Sequence, residues 1–207
     1  MLELICVRHG RTSWNAALRF QGQTNVPLDD EGRTQARMLA LQLRAVPLDA
    51  AVSSDLDRCV ETAKTILIEH PGVALRLDPD LREMNFGRWE GLPWAQIVEG
   101  DPKLAVDDYA RPKLYTPPGG ETFEDVVARA SRALGRIREA SPPGSRVLIA
   151  THAGVLHALL RVVLGPEGSE PQIRFSPGAV TRLALEEEGA GRLLSLNETA
   201  VADSLGQ

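Results

Sequence analysis

The chain has 207 residues, 43% of them hydrophobic and 25% charged, which is enough apolar material for one sizeable core. These proportions exclude a disordered chain, a collagen-like repeat and a small disulfide scaffold. The net charge of −5 argues against nucleic acid and membranes as partners, because proteins that bind them usually present a basic surface. Since no secretory leader or membrane-length apolar run is evident, we expect a cytoplasmic protein.

Hydrophobic periodicity divides the chain into alternating strands and helices. We predict strands over residues 2–7, 49–53, 73–77, 146–150, 179–187 and 191–197. We predict helices over about 30–45, 54–69, 121–140 and 153–164, the first capped by Asp29 and the second by Ser54 or Asp55. This alternation predicts a three-layer α/β/α fold of the α/β class, with a mostly parallel sheet and helices on both faces.

The stretch 93–118 differs from the rest because prolines interrupt it repeatedly. We predict a small irregular insert here that forms a lid over a site. No internal repeat or strong linker divides the chain, so we expect a single domain over 1–207 that contains this insert. The two cysteines, Cys6 and Cys59, lie in apolar stretches and are predicted to be buried small hydrophobic residues.

Polar residues concentrate where the predicted parallel strands end, which is the edge at which open α/β sheets bind ligands. The four segments are Arg8-His9-Gly10-Arg11-Thr12, Ser53-Ser54 with Arg58 one turn later, Leu81-Arg82-Glu83, and Thr151-His152-Ala153-Gly154. Because His152 directly precedes a helix, the N–H groups of Ala153 and Gly154 are expected to be free donors for an anion. Two arginines, two imidazoles and two helix N-termini predict a pocket for a phosphate-sized dianion.

The same residues suggest a chemistry. The strand ends carry no metal-ligand spacing and no nucleotide-binding glycine motif, so we expect neither a metal nor a cofactor. Covalent catalysis is then the simplest way to move a phosphoryl group, and neutral imidazole is a competent nucleophile near pH 7. Arginines would hold the phosphoryl oxygens, and Glu83 is the strand-end carboxylate placed to protonate the leaving alkoxide.

These residues also match a known family in six ordered blocks that span nearly the whole chain. The blocks are Val7-Arg8-His9-Gly10 with Thr12 and Trp14-Asn15, Phe20-Gln21-Gly22 with Pro27-Leu28, Ser53-Ser54-Asp55-Leu56-Asp57-Arg58, Leu81-Arg82-Glu83 through Trp89-Glu90-Gly91, Pro118-Gly119-Gly120-Glu121, and Thr151-His152-Ala153-Gly154. In this pattern the chain resembles the histidine phosphatase (phosphoglycerate mutase-like) superfamily.

The resemblance implies that His9 is a nucleophile that forms a phosphohistidine and that Glu83 is the proton donor and then the base. It implies that Arg8, Arg58 and His152 bind and stabilise the phosphoryl group. Positions lining the phosphate pocket match Asn15, Gln21 and Gly22. The pattern departs from the family at Arg11, which follows the R-H-G motif and would add a cation at the pocket mouth, and at Asn25, which replaces a usual aspartate.

The region after Glu83 bears on the substrate. It lacks the paired arginines that grip glycerate in the mutases of this family, and the insert has only Lys103, Arg111 and Lys113 as cations. It therefore looks more like the phosphatase branch, such as α-ribazole phosphatases and broad-specificity phosphatases. An apolar wall at the mouth is predicted from Phe20, Trp94, Leu104, Tyr109 and Tyr115.

The leading hypothesis is a metal-independent phosphomonoester hydrolase that acts on a small phosphorylated metabolite through a phosphohistidine. The alternatives are a cofactor-dependent phosphoglycerate mutase and a catalytically silent protein that binds a phospholigand. We expect structural roles for Arg82, which would point away from Glu83, and for His157, which lies inside an apolar helix. The sequence leaves open whether the chain forms a homodimer.

Overall fold

The fold is built on one mixed β-sheet. The computed structural model describes residues 1–101, 104, 116–165, 173–186 and 190–199. Within these residues six strands form a sheet in the order β3-β2-β4-β1-β5-β6. They are β1 (Leu2–Arg8), β2 (Ala50–Ser53), β3 (Leu75–Leu77), β4 (Arg146–Thr151), β5 (Ala179–Leu185) and β6 (Arg192–Thr199). The first four are parallel, and the last two join antiparallel as the predicted hairpin.

Helices cover both faces of this sheet. They are α1 (Ser13–Ala16), α2 (Asp30–Leu43), α3 (Asp57–Leu67), α4 (Trp94–Gly100), α5 (Phe123–Ala140) and α6 (Ala153–Leu164), with short 3-10 turns at Pro79–Leu81 and Gly87–Trp89. No helix in the described ranges is both long enough and apolar enough to cross a membrane.

Side chains that alternate along β1 account for the layers. Leu4 and Cys6 are buried in the cluster that contains the apolar residues of α5 and α6. Ile5 and Val7 are buried in a second cluster with residues of α2 and α3. Because successive side chains of a strand point to opposite faces, the consecutive apolar residues from Leu4 to Val7 let β1 pack against both helix layers. The α/β/α fold predicted from the sequence is confirmed.

The predicted helix caps are only partly right. Asp29 caps α2, because its carboxylate accepts a 2.8 Å hydrogen bond from Gly32 N–H. Neither Ser54 nor Asp55 caps α3, which begins after Leu56. The α3 donor at Asp57 instead bonds the side-chain oxygen of Asn25 at 2.9 Å. This partner comes from a loop distant in sequence, so local spacing could not reveal it.

Most of the predicted insert lies outside the described residues. The part that is described includes α4 and the buried Leu104. Lys103, Tyr109, Arg111, Lys113 and Tyr115 all fall outside it. The predicted lid and the single domain over 1–207 therefore stay predictions.

The sheet register brings three strand ends together. Arg8, the last residue of β1, is paired with Thr151 at the end of β4, and Ser53 of β2 is paired with Ala150. His9 continues the pairing because its N–H donates to Thr151 O at 3.1 Å. The chain therefore leaves all three strands at one edge of the sheet, where the predicted site residues lie.

Candidate active site

A pocket of about 270 Å³ opens at this edge, which is room for a phosphate with a small organic group attached. Of the eight residues predicted for the site, seven line the pocket: Arg8, His9, Asn15, Gln21, Gly22, Arg58 and Glu83. The eighth, His152, lies fully buried behind His9, with the two rings edge to face at 5.1 Å between centroids. The structure therefore brings together all eight.

His9 is held in one tautomer. Its Nδ1 lies 2.7 Å from the carbonyl oxygen of Gly10. A carbonyl only accepts hydrogen bonds, so Nδ1 carries the proton and the lone pair is on Nε2. Burial lowers the pKa of His9 well below its ordinary value, and the nearby Arg58 and Arg8 guanidinium groups lower it further. The ring is thus a neutral imidazole with a free Nε2, the form that a nucleophile requires.

The loop that carries His9 packs against α2 and α3. Gly10 N–H donates to Thr62 Oγ1 of α3 at 3.2 Å. A side chain at Gly10 would meet the backbone of α2, since a Cβ there would lie 2.3 Å from Gly32 O. The glycine of the R-H-G motif therefore lets the loop press against the first turn of α2.

Two of the arginines that line the pocket place positive charge near His9. Arg58 is fully buried and donates to Gly22 O at 2.7 Å and Thr24 O at 2.8 Å. Its Nε makes no hydrogen bond within the described part of the chain. Arg8 donates from Nη1 to Phe175 O. Anchored guanidinium groups of this kind are preorganised for the oxygens of a phosphoryl group.

Two amides complete the polar lining. Thr12 caps α1 and holds both side chains by their carbonyl oxygens, because its N–H donates to Asn15 Oδ1 at 3.1 Å and its hydroxyl donates to Gln21 Oε1 at 2.9 Å. The orientation leaves the NH₂ groups of Asn15 and Gln21 as the ends available to an acceptor. Gly22 has a φ of 54°, and a Cβ there would lie 1.9 Å from Glu90 Oε1.

His152 has polar neighbours of its own. Its Nε2 lies 2.9 Å from Ser54 Oγ and 3.3 Å from the Sγ of the buried Cys59. Burial lowers the pKa of His152 well below its ordinary value, with smaller contributions from Arg58 and His9. His152 is thus placed as a neutral ring that packs against the edge of His9. Both cysteines are buried and free, as predicted.

Glu83 occupies the N-terminus of α6. Its Oε1 accepts hydrogen bonds from Met84 N–H at 2.9 Å and Gly154 N–H at 3.0 Å. The prediction of a free donor at Gly154 is therefore wrong, because this N–H is bonded to Glu83. Burial raises the pKa of Glu83, while the Met84 hydrogen bond and the Arg58 and Arg8 charges oppose the rise. A carboxyl with a raised pKa beside a neutral imidazole is suited to donate a proton.

Arg11 and Arg82 both form ion pairs outside the pocket, which was predicted for Arg82 but not for Arg11. Arg11 does not add a charge at the pocket mouth, because it pairs with Asp29 at 2.8 Å and Glu31 at 2.5 Å. Arg82 turns away from the pocket and forms a two-pronged pair with Asp55 at 2.7 and 2.5 Å, as predicted.

Several pocket residues were not predicted. His157 lines the pocket with its ring edge to face with Phe175 at 4.9 Å, so it is not simply a core residue. All four phenylalanines of the chain line the pocket: Phe20, Phe86, Phe123 and Phe175. Of the members of the predicted wall that the structure describes, only Phe20 does so, while Trp94 packs behind it at 6.1 Å between ring centroids. Arg19 and Arg174 are further cations of the lining.

Among the described residues, no group of three or more His, Cys, Asp or Glu side chains is placed to hold a metal ion.

The sequence signal for the polar site was its position at strand ends. Of the aromatic wall only Phe20 was predicted, because its four members come from four separate segments that only the fold brings together.

Comparison with known proteins agrees with this geometry. The chain is 34% identical over 188 residues to a probable phosphoglycerate mutase, GpmB, of Yersinia pestis (strain Pestoides F), which covers 90% of this chain and 86% of that protein. The structure is similar to a mycobacterial glucosyl-3-phosphoglycerate phosphatase in complex with VO₃, with a TM-score of 0.86 and 31% identity over 95% and 99% of the two chains.

It is also similar to a candidate alpha-ribazole-5'-P phosphatase of Escherichia coli, with a TM-score of 0.82 and 25% identity over 97% and 98% of the two chains. The histidine phosphatase superfamily (branch 1) matches residues 4–199. The sequence blocks, the strand-end pocket and these likenesses agree, and the chain belongs to the histidine phosphatase superfamily, an enzyme family whose members carry both phosphatase and mutase names.

Proposed function

We propose that this protein is a phosphomonoester hydrolase that works without a metal, through a phosphohistidine at His9, on a small phosphorylated metabolite. The observation that carries the proposal is the tautomer of His9. Its Nδ1–H is bound to Gly10 O, and this leaves the Nε2 lone pair in a pocket that Arg8 and Arg58 also line. A neutral nucleophile beside fixed cations is what attack on a phosphate dianion requires.

The first chemical step transfers the phosphoryl group to the enzyme. The Nε2 lone pair of His9 attacks phosphorus, the bond from phosphorus to the ester oxygen breaks, and the leaving oxygen takes the proton of Glu83. The arginines spread the charge of the transferring group, and the NH₂ groups of Asn15 and Gln21 are further donors to its oxygens.

The second step returns the enzyme to its starting state. The Glu83 carboxylate takes a proton from a water molecule whose oxygen attacks phosphorus, and the bond between phosphorus and Nε2 breaks. Inorganic phosphate leaves, His9 is neutral again and Glu83 is protonated. One residue acts first as acid and then as base, so no second carboxyl group is needed.

The pocket walls indicate the kind of alcohol that the substrate carries. The four phenylalanine rings form an apolar surface beside the polar floor of the pocket, and Met84 and Ile173 extend it. When such walls cover an aromatic or aliphatic group, apolar surface is removed from water, and the binding free energy improves by about 25 cal/mol per Å². We therefore propose that preferred substrates combine the phosphate with a partly apolar alcohol.

A phosphoglycerate mutase is the second candidate. Arg19 and Arg174 line the pocket, and cations there could hold a second anionic group such as the carboxylate of glycerate. The name of the Yersinia relative points the same way. The sequence argument against a mutase concerned the insert, and its three cations lie outside the described residues.

Product analysis separates the two. The protein is incubated with 3-phosphoglycerate and, in parallel, with a panel of aryl, alkyl and sugar phosphates, and inorganic phosphate and phosphoglycerate isomers are measured. We expect stoichiometric release of inorganic phosphate, fastest from the apolar esters. Interconversion of phosphoglycerates without release of phosphate would identify a mutase. Binding of phosphate without turnover of any of these substrates would identify a catalytically silent ligand-binding protein.

A further inference from the structure

A buried arginine on α5, outside the pocket, contacts the backbone that carries Glu83. Arg129 is only 6% exposed. Its guanidinium group makes a two-pronged pair with Glu121, at 2.8 Å from Nε to Oε1 and 3.0 Å from Nη2 to Oε2. The remaining donor directions point at main-chain oxygens. We call these two side chains the Arg129–Glu121 clamp.

The clamp holds the chain on both sides of Glu83. Arg129 donates to Asp80 O at 2.9 Å, to Arg82 O, and to Glu83 O at 3.0 Å. Glu121 accepts from Asn85 N–H at 2.8 Å, and its own N–H donates to Asn85 O at 2.9 Å. The peptide groups that precede and follow Glu83 are thus tied to one rigid ion pair.

Other arginines of α5 reach the same segment without touching the residues next to Glu83. Arg132 bonds the carboxylate of Asp80 at 2.9 Å, and Arg136 bonds the carboxylates of Asp78 and Asp80 at 2.8 and 2.7 Å. Both are at least two-fifths exposed at their side chains, so these ion pairs contribute little to stability. The clamp differs from them in its burial and in its main-chain contacts.

We infer that Arg129 is a positioning residue for proton donation, which holds the Glu83 backbone so that the carboxyl group keeps its place between Met84 N–H and Gly154 N–H. The inference rests on the proposed role of Glu83 as the acid. General acid catalysis depends on placement, and a displacement of about 1 Å can cost on the order of 100-fold in rate. The Arg129 charge also opposes the rise in the Glu83 pKa.

A purely structural role would have a different signature. A loosened fold reduces the concentration of active protein and lowers turnover of every substrate by the same factor. Misplacement of the acid lowers turnover only where the leaving oxygen needs a proton. The difference is visible in kcat/KM, which covers the steps through departure of the first leaving group and does not include hydrolysis of the phosphohistidine.

The experiment compares kcat/KM for two substrates. The leaving group of p-nitrophenyl phosphate, p-nitrophenolate, is a weak base that departs without protonation. The leaving group of phenethyl phosphate is an alkoxide, a strong base that needs a proton. The variants are Arg129→Lys, Arg129→Met and Glu121→Gln, with Arg132→Ala as the matched control on the same helix and Glu83→Gln as the reference for loss of the acid. Using two positions of the clamp keeps the test open if Arg129→Met fails to fold.

In Arg129→Met and Glu121→Gln we expect kcat/KM for phenethyl phosphate to fall on the order of 100-fold and that for p-nitrophenyl phosphate to fall less than about threefold. Arg129→Lys should recover part of the loss, and Arg132→Ala should match the wild-type protein for both substrates. Equal losses for the two substrates, or no loss, in folded clamp variants would overturn the inference while Glu83→Gln still discriminates between them. If Glu83→Gln itself does not discriminate, the acid role in the proposed function is wrong, and this inference falls with it.

Discussion

At the scale of single residues, the site depends on how His9 and Glu83 are protonated. A free imidazole has a pKa of about 6.5 and a free glutamate about 4.3, so a neutral His beside a protonated Glu would be rare at any pH. The pocket shifts both groups in the useful direction. Burial and the two arginines lower the pKa of His9, and burial raises the pKa of Glu83. Together the two pKa shifts widen the pH range in which His9 is neutral while Glu83 is protonated.

The first prediction is a bell-shaped dependence of kcat/KM on pH. Activity should fall on the acid side as His9 takes up a proton, and on the alkaline side as Glu83 loses one. The acid limb should lie below the ordinary pKa of histidine, and the alkaline limb above that of glutamate. The measurement is kcat/KM for phenethyl phosphate across the pH range in which the protein stays folded.

The Glu83→Gln variant is the control for this profile. Its residual activity should lose the alkaline limb. The second pKa of the substrate phosphate, about 6, affects both proteins alike. An alkaline limb that survives unchanged in Glu83→Gln would assign it to another group.

At the scale of elements, periodicity predicted most of the fold. The alternation of strands and helices, the cap at Asp29 and the strand-end positions of His9 and His152 could all be read from local spacing. Contacts between distant segments could not. The capping of α3 by Asn25 and the clamp at Arg129 each join parts of the chain whose approach only the folded sheet determines.

The N-terminus of α6 shows the same limit. The sequence correctly predicts where α6 begins but assigns its free N–H to an external anion, whereas Glu83 binds it. A Cβ at Gly154 would lie 2.3 Å from Glu83 Oε1. Glycine is therefore required here for the close approach of the carboxyl group to the first turn of the helix.

The second prediction follows from this contact. Gly154→Ala should displace the Glu83 carboxyl group and lower kcat/KM for phenethyl phosphate roughly 10- to 100-fold. Its matched control is Gly135→Ala in α5, where a Cβ meets nothing within 4 Å. That variant should keep full activity and gain about 0.5–1 kcal/mol in the free energy of unfolding, because alanine is the better helix former. Full activity in Gly154→Ala would show that the close approach does not matter.

At the scale of the whole molecule, an acidic protein concentrates positive charge at one edge of its sheet. The net charge is −5, yet among the residues that the structure describes four arginines line the pocket: Arg8, Arg19, Arg58 and Arg174. The potential inside a cleft is set by the groups that line it, so the overall charge does not oppose a small anion. Twenty of the 23 cationic residues are arginines, and one of them, Arg129 of α5, holds the backbone on both sides of Glu83.

The third prediction concerns anion binding by the folded protein. Inorganic phosphate at about 100 times its Kd should raise the free energy of unfolding by about 2.7 kcal/mol, and the Tm by roughly 5–10 °C. Thermal unfolding is measured in phosphate and in chloride at equal ionic strength. A shift of the same size in chloride would mean that the pocket has no specific anion site.

The fourth prediction concerns metals. Because the proposed mechanism takes its nucleophile from His9 and its positive charge from arginines, dialysis against EDTA should leave phosphatase activity unchanged, and added Mg²⁺ or Zn²⁺ should alter it by less than about twofold. A metal-dependent phosphatase treated in the same way shows that chelation was complete. Activity that disappears on chelation and returns with either ion would contradict the proposed mechanism.

The central claim is the covalent intermediate on His9, and trapping it is the most direct test. The protein is mixed with a ³²P-labelled phosphomonoester, quenched in alkali, which preserves phosphohistidine, and digested for mapping of the label. We predict label on the peptide that contains His9, stable to base and lost in acid, and none in His9→Asn, which should also lose activity at least about 1,000-fold while keeping its Tm. Turnover with no labelled protein, or label retained in His9→Asn, would contradict the account.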